Sequence, residues 1–225
     1  MKTFKSLSGL EITVNAMKGK HIKQFSQGNK AIKRMLWEEK LISSINGNEN
    51  ITENDIDNLE LWDLSQILLE IRFLTYPDEN ICEVPYNWNG KVKKHEIDIS
   101  ESSFLKLNDC VFFDTYETIL PQSKIVVRVS PPKVGDDMKN LTFSTQIESM
   151  LLVWKPLKVR EDKNVEILDI DDLSGGDYAH LQKFVASRTR KIDTTVELTN
   201  PSNESQKVKV DLLGSVNFFL PFLAT

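Results

Sequence analysis

The chain has 225 residues, 40% of them hydrophobic and 27% charged, and a formal net charge of −5. That is enough for one or two domains with a real core, and the acidic balance argues against general nucleic-acid affinity. No apolar run approaches the roughly 20 residues of a membrane-spanning helix, and the opening MKTFKSLSGLEITV lacks the apolar stretch of a signal peptide.

The first predicted strand is LEITV, residues 10–14, which alternates apolar and polar side chains. A stretch rich in Lys and Gly follows, then a helix expected over about 30–45. Charge is unevenly spread. Residues 1–40 hold nine Lys/Arg against three acids, whereas residues 48–83 hold ten acids against Arg72 alone. Two readings stand: solvated faces that attract each other within the molecule, or a bipolar surface that orients a partner.

At Asp55 the sequence runs DIDNLELWD, and at Asp169 it runs DIDDLSGGD. The flanks of the two blocks agree. Leu64, Ile67, Leu68 and Ile71 form one helical face after the first block, and Tyr178, Leu181 and Val185 take the equivalent places of Leu64, Ile67 and Ile71 after the second. Asp63 and Asp177 fall where N-cap carboxylates are expected. Each helix then leads to two alternating segments around a polar tip, ICEVPYNWNGKVKKHEIDI and TTVELTNPSNESQKVKVDL. Asn89-Gly90 and Asn200-Pro201-Ser202-Asn203 are the turn signals. Upstream in the second half, KIVVRV (124–129) reads as a strand. Residues 144–154 read as a helix with Ile147, Met150, Leu151 and Trp154 on one side.

The predicted fold class is therefore α+β, a tandem pseudo-repeat of a strand–helix–helix–β-hairpin module whose hairpins project from a mixed helical core. Residues 1–100 form the first module, 101–123 a connector, 124–213 the second module and 214–225 an apolar C-terminal tail. That tail, following Gly214, contains NFFLPFLAT, in which Pro221 bars a helix interior or a central strand.

Motifs for chemistry are missing. DIDDLSGGD opens like a calcium loop, but its fifth, sixth and twelfth positions are Leu173, Ser174 and His180, which cannot complete the ligand set. His21, His95 and His180 lie in separate elements and read as surface histidines. Cys82 and Cys110 stand outside any metal or redox motif, which predicts reduced thiols and a cytoplasmic protein. Ser174-Gly175-Gly176 precedes a helix, but Asp177 holds that N-terminus against anions. No catalytic, cofactor-binding or metal residue is assigned.

The order of features resembles the baseplate-hub assembly protein family of T-even-like, contractile-tailed bacteriophages. The resemblance rests on SLSGLEITV, on an acidic residue opening LELWDLSQILLEIRFLTY, on Ile71-Arg72 and Thr75-Tyr76 before the hairpin, and on a second copy closing on Phe-Phe. It covers nearly the whole chain. Relatives often carry Gly where this chain has Pro77, and some carry Cys pairs at the hairpin tips, which are thiol-free here. The resemblance implies a non-enzymatic tail-assembly factor that binds hub or tape-measure proteins in the host-cell cytoplasm. Its alternative is a hub subunit retained in the virion baseplate; a hydrolase is the remote third reading. No cofactor, nucleic acid or membrane is implied, and homo-oligomerisation stays open. The expected partner-binding residues are Trp88 beside the first hairpin tip, and Phe218, Phe219, Phe222 and Leu223 in the tail. Within the tail, Phe218 and Phe219 are expected to staple it to the protein, leaving Phe222 and Leu223 to a partner.

Overall fold

The computed structural model describes residues 1–21, 29–77, 81–88, 90–98, 116–136, 154–189, 195–200 and 203–211. The protein is α+β, built from helices and small antiparallel sheets.

The first half opens with β1 (Lys2–Lys5) and β2 (Glu11–Val14), a hairpin whose second strand also pairs with β3 (Ile42–Ile45). Between β2 and β3 lies α1 (Asn29–Trp37). The expected helix over 30–45 is therefore too long. Lys40 adopts a left-handed backbone (φ 54°), and Ile42–Ile45 pairs with β2 instead of continuing the helix. Next come α2 (Glu53–Asp57) and α3 (Leu61–Thr75). Thr52 and Asp55 cap α2 reciprocally: the Thr52 hydroxyl accepts from the Asp55 N–H, and the Asp55 carboxylate accepts from the Thr52 N–H. The first half closes with the hairpin β4 (Ile81–Trp88) and β5 (Lys91–Asp98), its turn reached through Gly90 at φ 77°.

The second half forms a four-stranded sheet in the order β6 (Glu117–Ile119), β7 (Val126–Arg128), β8 (Leu157–Val159) and β9 (Val165–Ile167). Strand β6 falls in the stretch expected to be a connector. The helix expected over 144–153 lies outside the described residues, while Trp154 sits in a turn and is buried. Then follow α4 (Gly175–Arg188) and the hairpin β10 (Thr195–Asn200) with β11 (Asn203–Asp211). Each half thus begins with a paired sheet rather than a single strand.

Helix α3 organises the interior. In its sequence LWDLSQILLEIRFLT the apolar residues are spread around the axis rather than confined to one stripe, and Asp63, Ser65, Gln66 and Arg72 are buried among them. Leu64, Ile67 and Ile71 face a cluster with Ile12, Val14, Met35, Leu36 and Ile42. Trp62 and Leu69 face another, with Val127, Val129, Trp154, Leu181 and Val185. Trp62 and Trp154 meet with ring centroids 5.9 Å apart. Ile97 and Leu198 also join this second cluster, so each hairpin packs at least one side chain onto the core. The buried Arg72 guanidinium lies 4.8 Å from the Tyr76 ring centroid, which accounts for two residues of the signature IRFLTY.

A strand-like stretch of the second half crosses the joint between α2 and α3. Leu61 donates its N–H to the Pro132 carbonyl, Val134 donates to Leu59, and Gly135 donates to Asp57. Val134 is buried in the first-half cluster. At Gly135 any Cβ would come within 2.8 Å of the Asp57 Cβ, so this approach requires glycine.

Candidate interaction surface

Two buried carboxylates tie each sheet to its helix. Asp63 is the third residue of α3, not its N-cap; the cap position belongs to Glu60, whose side chain takes the Trp62 indole N–H instead. The Asp63 carboxylate accepts from the Ser8 N–H (2.9 Å) and from the Ser8 hydroxyl (2.5 Å), in the loop between β1 and β2. Asp177 is likewise the third residue of α4, behind the N-cap Ser174, whose hydroxyl accepts from the Asp177 N–H. Its carboxylate accepts from the Gln122 N–H (2.7 Å) and the Ser123 N–H (2.9 Å), in the loop between β6 and β7. Both side chains are enclosed, at 0% and 1% exposure. The sequence located both aspartates and misassigned their role, because a carboxylate in a helix's first turn can serve a distant loop as well as its own backbone. Burial raises the Asp177 pKa, but the donors from Gln122, Ser123 and Ser174 outweigh it and hold the carboxyl below its ordinary value.

His21 corrects another expectation: it is 2% exposed rather than on the surface. Its Nδ1 accepts from the Lys18 N–H (3.0 Å), and its Nε2 lies 2.9 Å from a Glu39 carboxylate oxygen. Burial lowers its pKa by more than Glu39 raises it. His95 is exposed, and His180 Nε2 contacts the Thr118 hydroxyl at 2.9 Å, joining α4 to β6. Among the described residues, no group of three or more His, Cys, Asp or Glu side chains converges as a metal site would require. Nor is any helix there long and apolar enough to cross a membrane.

The sheets present the most informative surface. Residues paired across antiparallel strands share a face. On the first sheet, Phe4, Ile12 and Ile45 share the face turned to the core, while Thr3, Thr13 and Ser44 form the row facing away. The hydroxyls of Thr3 and Thr13 lie 3.0 Å apart, and Lys5 and Glu11 pair beside them. On the second sheet, Val127 faces the core, and the outward rows are Ile119–Val126–Val159–Val165 and Glu117–Arg128–Leu157–Ile167. Ile119 is 60% exposed, Val165 45% and Ile167 87%. Several nearby charges pair with one another, Arg128 with Glu117, and Arg160 and Lys158 with Glu166. A shallow cavity of about 710 Å³ opens between Lys124–Val126 and Lys158–Asp162, beside the first row.

Sequence reading missed this face, because three-residue strands carry too little alternation to be seen. Of the residues expected to bind a partner, Trp88 has its backbone at the end of β4 opposite Lys91, and its side chain lies outside the described residues. Phe218, Phe219, Phe222 and Leu223 lie outside them altogether, as does the staple expected of the first two.

No family model, curated protein or solved structure matches this chain.

Proposed function

We propose that the chain is a tandem duplication of one α+β module and acts as a non-enzymatic phage tail-assembly factor, promoting assembly of the baseplate central hub by binding hub or tape-measure proteins. Duplication is supported by spacing. Helices α3 and α4 open at Leu61 and Gly175, 114 residues apart, and the hairpins open at Ile81 and Thr195, again 114 apart. Asp63 with Ser8 and Asp177 with Gln122 repeat one contact at that same spacing. Ile67 and Leu181 occupy the seventh position of their helices, and both are fully buried.

The observation that carries a binding role is the outward apolar row on the second sheet, where the first sheet has hydroxyls and charges. Soluble proteins seldom expose such a patch without using it. The hub and tape-measure partners, and action in the host-cell cytoplasm during virion assembly, come from the sequence resemblance. The test is complementation of a phage lacking the gene by an Ile119→Lys/Ile167→Lys variant. Loss of assembled tails, with the purified variant folded, supports the reading; normal tail yield overturns it. Mass spectrometry of purified tails then separates an assembly factor, absent from the tails, from a retained hub subunit.

A further inference from the structure

The second sheet ends on β9, and among the described residues no strand lies beyond it. The ladder with β8 determines which backbone groups that leaves over. Arg160 donates its N–H to the Asn164 carbonyl and Leu168 donates to Pro156, on either side of the register Leu157↔Ile167, Lys158↔Glu166, Val159↔Val165. In an antiparallel pair, hydrogen-bonded positions alternate with non-bonded ones. Glu166 therefore exchanges its backbone bonds with Lys158, while the N–H and C=O groups of Val165 and Ile167 point away from β8. Among the described residues, no backbone hydrogen bond reaches these four groups. The side chains of the same two residues are exposed. Edge strands in natural proteins are usually covered, bulged or guarded by a free charge, but the charge within β9, Glu166, is held between Lys158 and Arg160. The opposite edge is less apolar: in β6, Glu117 is paired with Arg128, and Ile119 is the exposed apolar side chain.

Charge selects the occupant. Residues 161–172 hold six acids against Lys163 alone. Glu161 and Asp162 are exposed before β9, and Asp169, Asp171 and Asp172 are exposed after it. The carboxylates of Asp162 and Asp169 accept from Asn164 and from the Asp171 N–H rather than from a cation. A second copy fits this edge poorly. If Val165 and Ile167 bonded to their counterparts across a twofold axis, Glu166 would fall opposite Glu166 of the other copy, and like charges directly opposite are destabilising. A strand with Lys or Arg at both ends instead meets acids at both ends.

We propose that the free edge of β9 docks an extended segment of a partner protein as a fifth antiparallel strand. The segment carries apolar side chains at the alternate positions beside Val165 and Ile167, and basic residues on either side of them. This assignment rests on the binding role proposed above for the sheet, and adds the shape and chemistry of what is bound.

The probe is a fluorescent nonapeptide with two lysines at each end of five residues alternating valine and threonine. It is titrated into the purified full-length chain and followed by anisotropy. Saturable binding is expected, and none up to about 1 mM overturns the proposal. In the bound strand the valine N–H groups face β9 and the threonine N–H groups face away. N-methylating the valine amides should weaken binding about tenfold or more, and N-methylating the threonine amides should leave it nearly unchanged. Equal losses overturn strand addition. Replacing the lysines by glutamates should also weaken binding about tenfold; equal affinity overturns the charge match. In the protein, Ile167→Pro removes a donor from the free edge and spares the Lys158–Glu166 bonds. It should reduce binding, whereas Ile119→Lys at the opposite edge should not. The reverse pattern overturns the placement on β9. So does a concentration-dependent dimer abolished by Ile167→Pro, since the occupant would then be a second copy. The N-methylated pair uses the unaltered protein, so it decides between outcomes even where Ile167→Pro fails to fold. The assay contains no tails: its failure leaves the hub-assembly reading to complementation, and failed complementation leaves a measured strand site standing.

Discussion

Around the sheet formed by residues 2–14 and 42–45, the side chains turned away from the helices are hydroxyls and charges, with Thr3, Thr13, Ser44, Lys5 and Glu11 among them. Around the sheet formed by residues 117–128 and 157–167, the same aspect carries the ion pair Glu117–Arg128 beside Ile119, Val126, Val159, Val165 and Ile167. Turned inward, the two sheets agree: Ile12 and Val127 are both fully buried, each beside its own helix. Packing constrains an inner face closely, since volume and shape must match the helix above it. An outer face carries no such constraint and is where the two sheets differ. The difference lies in exposed apolar area on the second sheet, which carries a solubility cost and calls for a use.

The widest gap should separate inner from outer positions. Ile67→Ala and Leu181→Ala each remove a fully buried side chain and should each lower unfolding free energy by about 2–5 kcal/mol in urea titrations. A large loss at one and almost none at the other would count against the proposed duplication.

The buried carboxylates come next. Asp63→Ala leaves the Ser8 N–H enclosed without its acceptor and should cost about 2–3 kcal/mol; Asp177→Ala should destabilise in the same direction. The pH dependence sharpens this. The Asp177 pKa is lower in the folded protein than its ordinary 3.8, so its contribution is complete above that value. It declines as pH falls through 3.8 toward the folded pKa, because the unfolded chain takes up the proton first. Asp177→Asn should therefore flatten the acid limb of a stability–pH profile. His21, also lowered, adds a loss that begins as pH falls below 6.5.

The smallest effects belong to the outer faces. Thr13→Val and Ile167→Thr should each change stability by less than about 0.5 kcal/mol, measured by thermal melting. A larger loss at Ile167 would mean that the residue is packed rather than presented.

Helix α3 was legible because LSQILLEIRFL repeats apolar residues at helical spacing, and its counterpart was legible through Leu181 and Val185. The hairpins were legible from their alternation and turn residues. Strand β3 was hidden because Ile42 and Ile45 also fit the helical pattern begun by Met35 and Leu36. Only the left-handed Lys40, which no local signal required, separates the two elements. Strands β6, β8 and β9 are too short for any period. The outer face was illegible for a further reason: exposure follows from which strands become neighbours, and that is settled by contacts distant in sequence. His21 was misjudged because burial beside Glu39 is equally non-local.

The sharing of α3 between two clusters has a consequence for biosynthesis. As the chain leaves the ribosome, Leu64, Ile67 and Ile71 can pack at once against Ile12, Val14 and Met35, all made earlier. Trp62 and Leu69 have only Leu7 of their cluster made before them, because Val127, Val129, Trp154 and Leu168 have yet to be synthesised. From Thr75 to Leu168 the ribosome adds 93 residues, which at about 5–20 residues per second takes roughly 5–20 s. For that interval the nascent chain carries a helix with one side satisfied and a tryptophan largely uncovered on the other. Its late half closes over a surface its early half has held open.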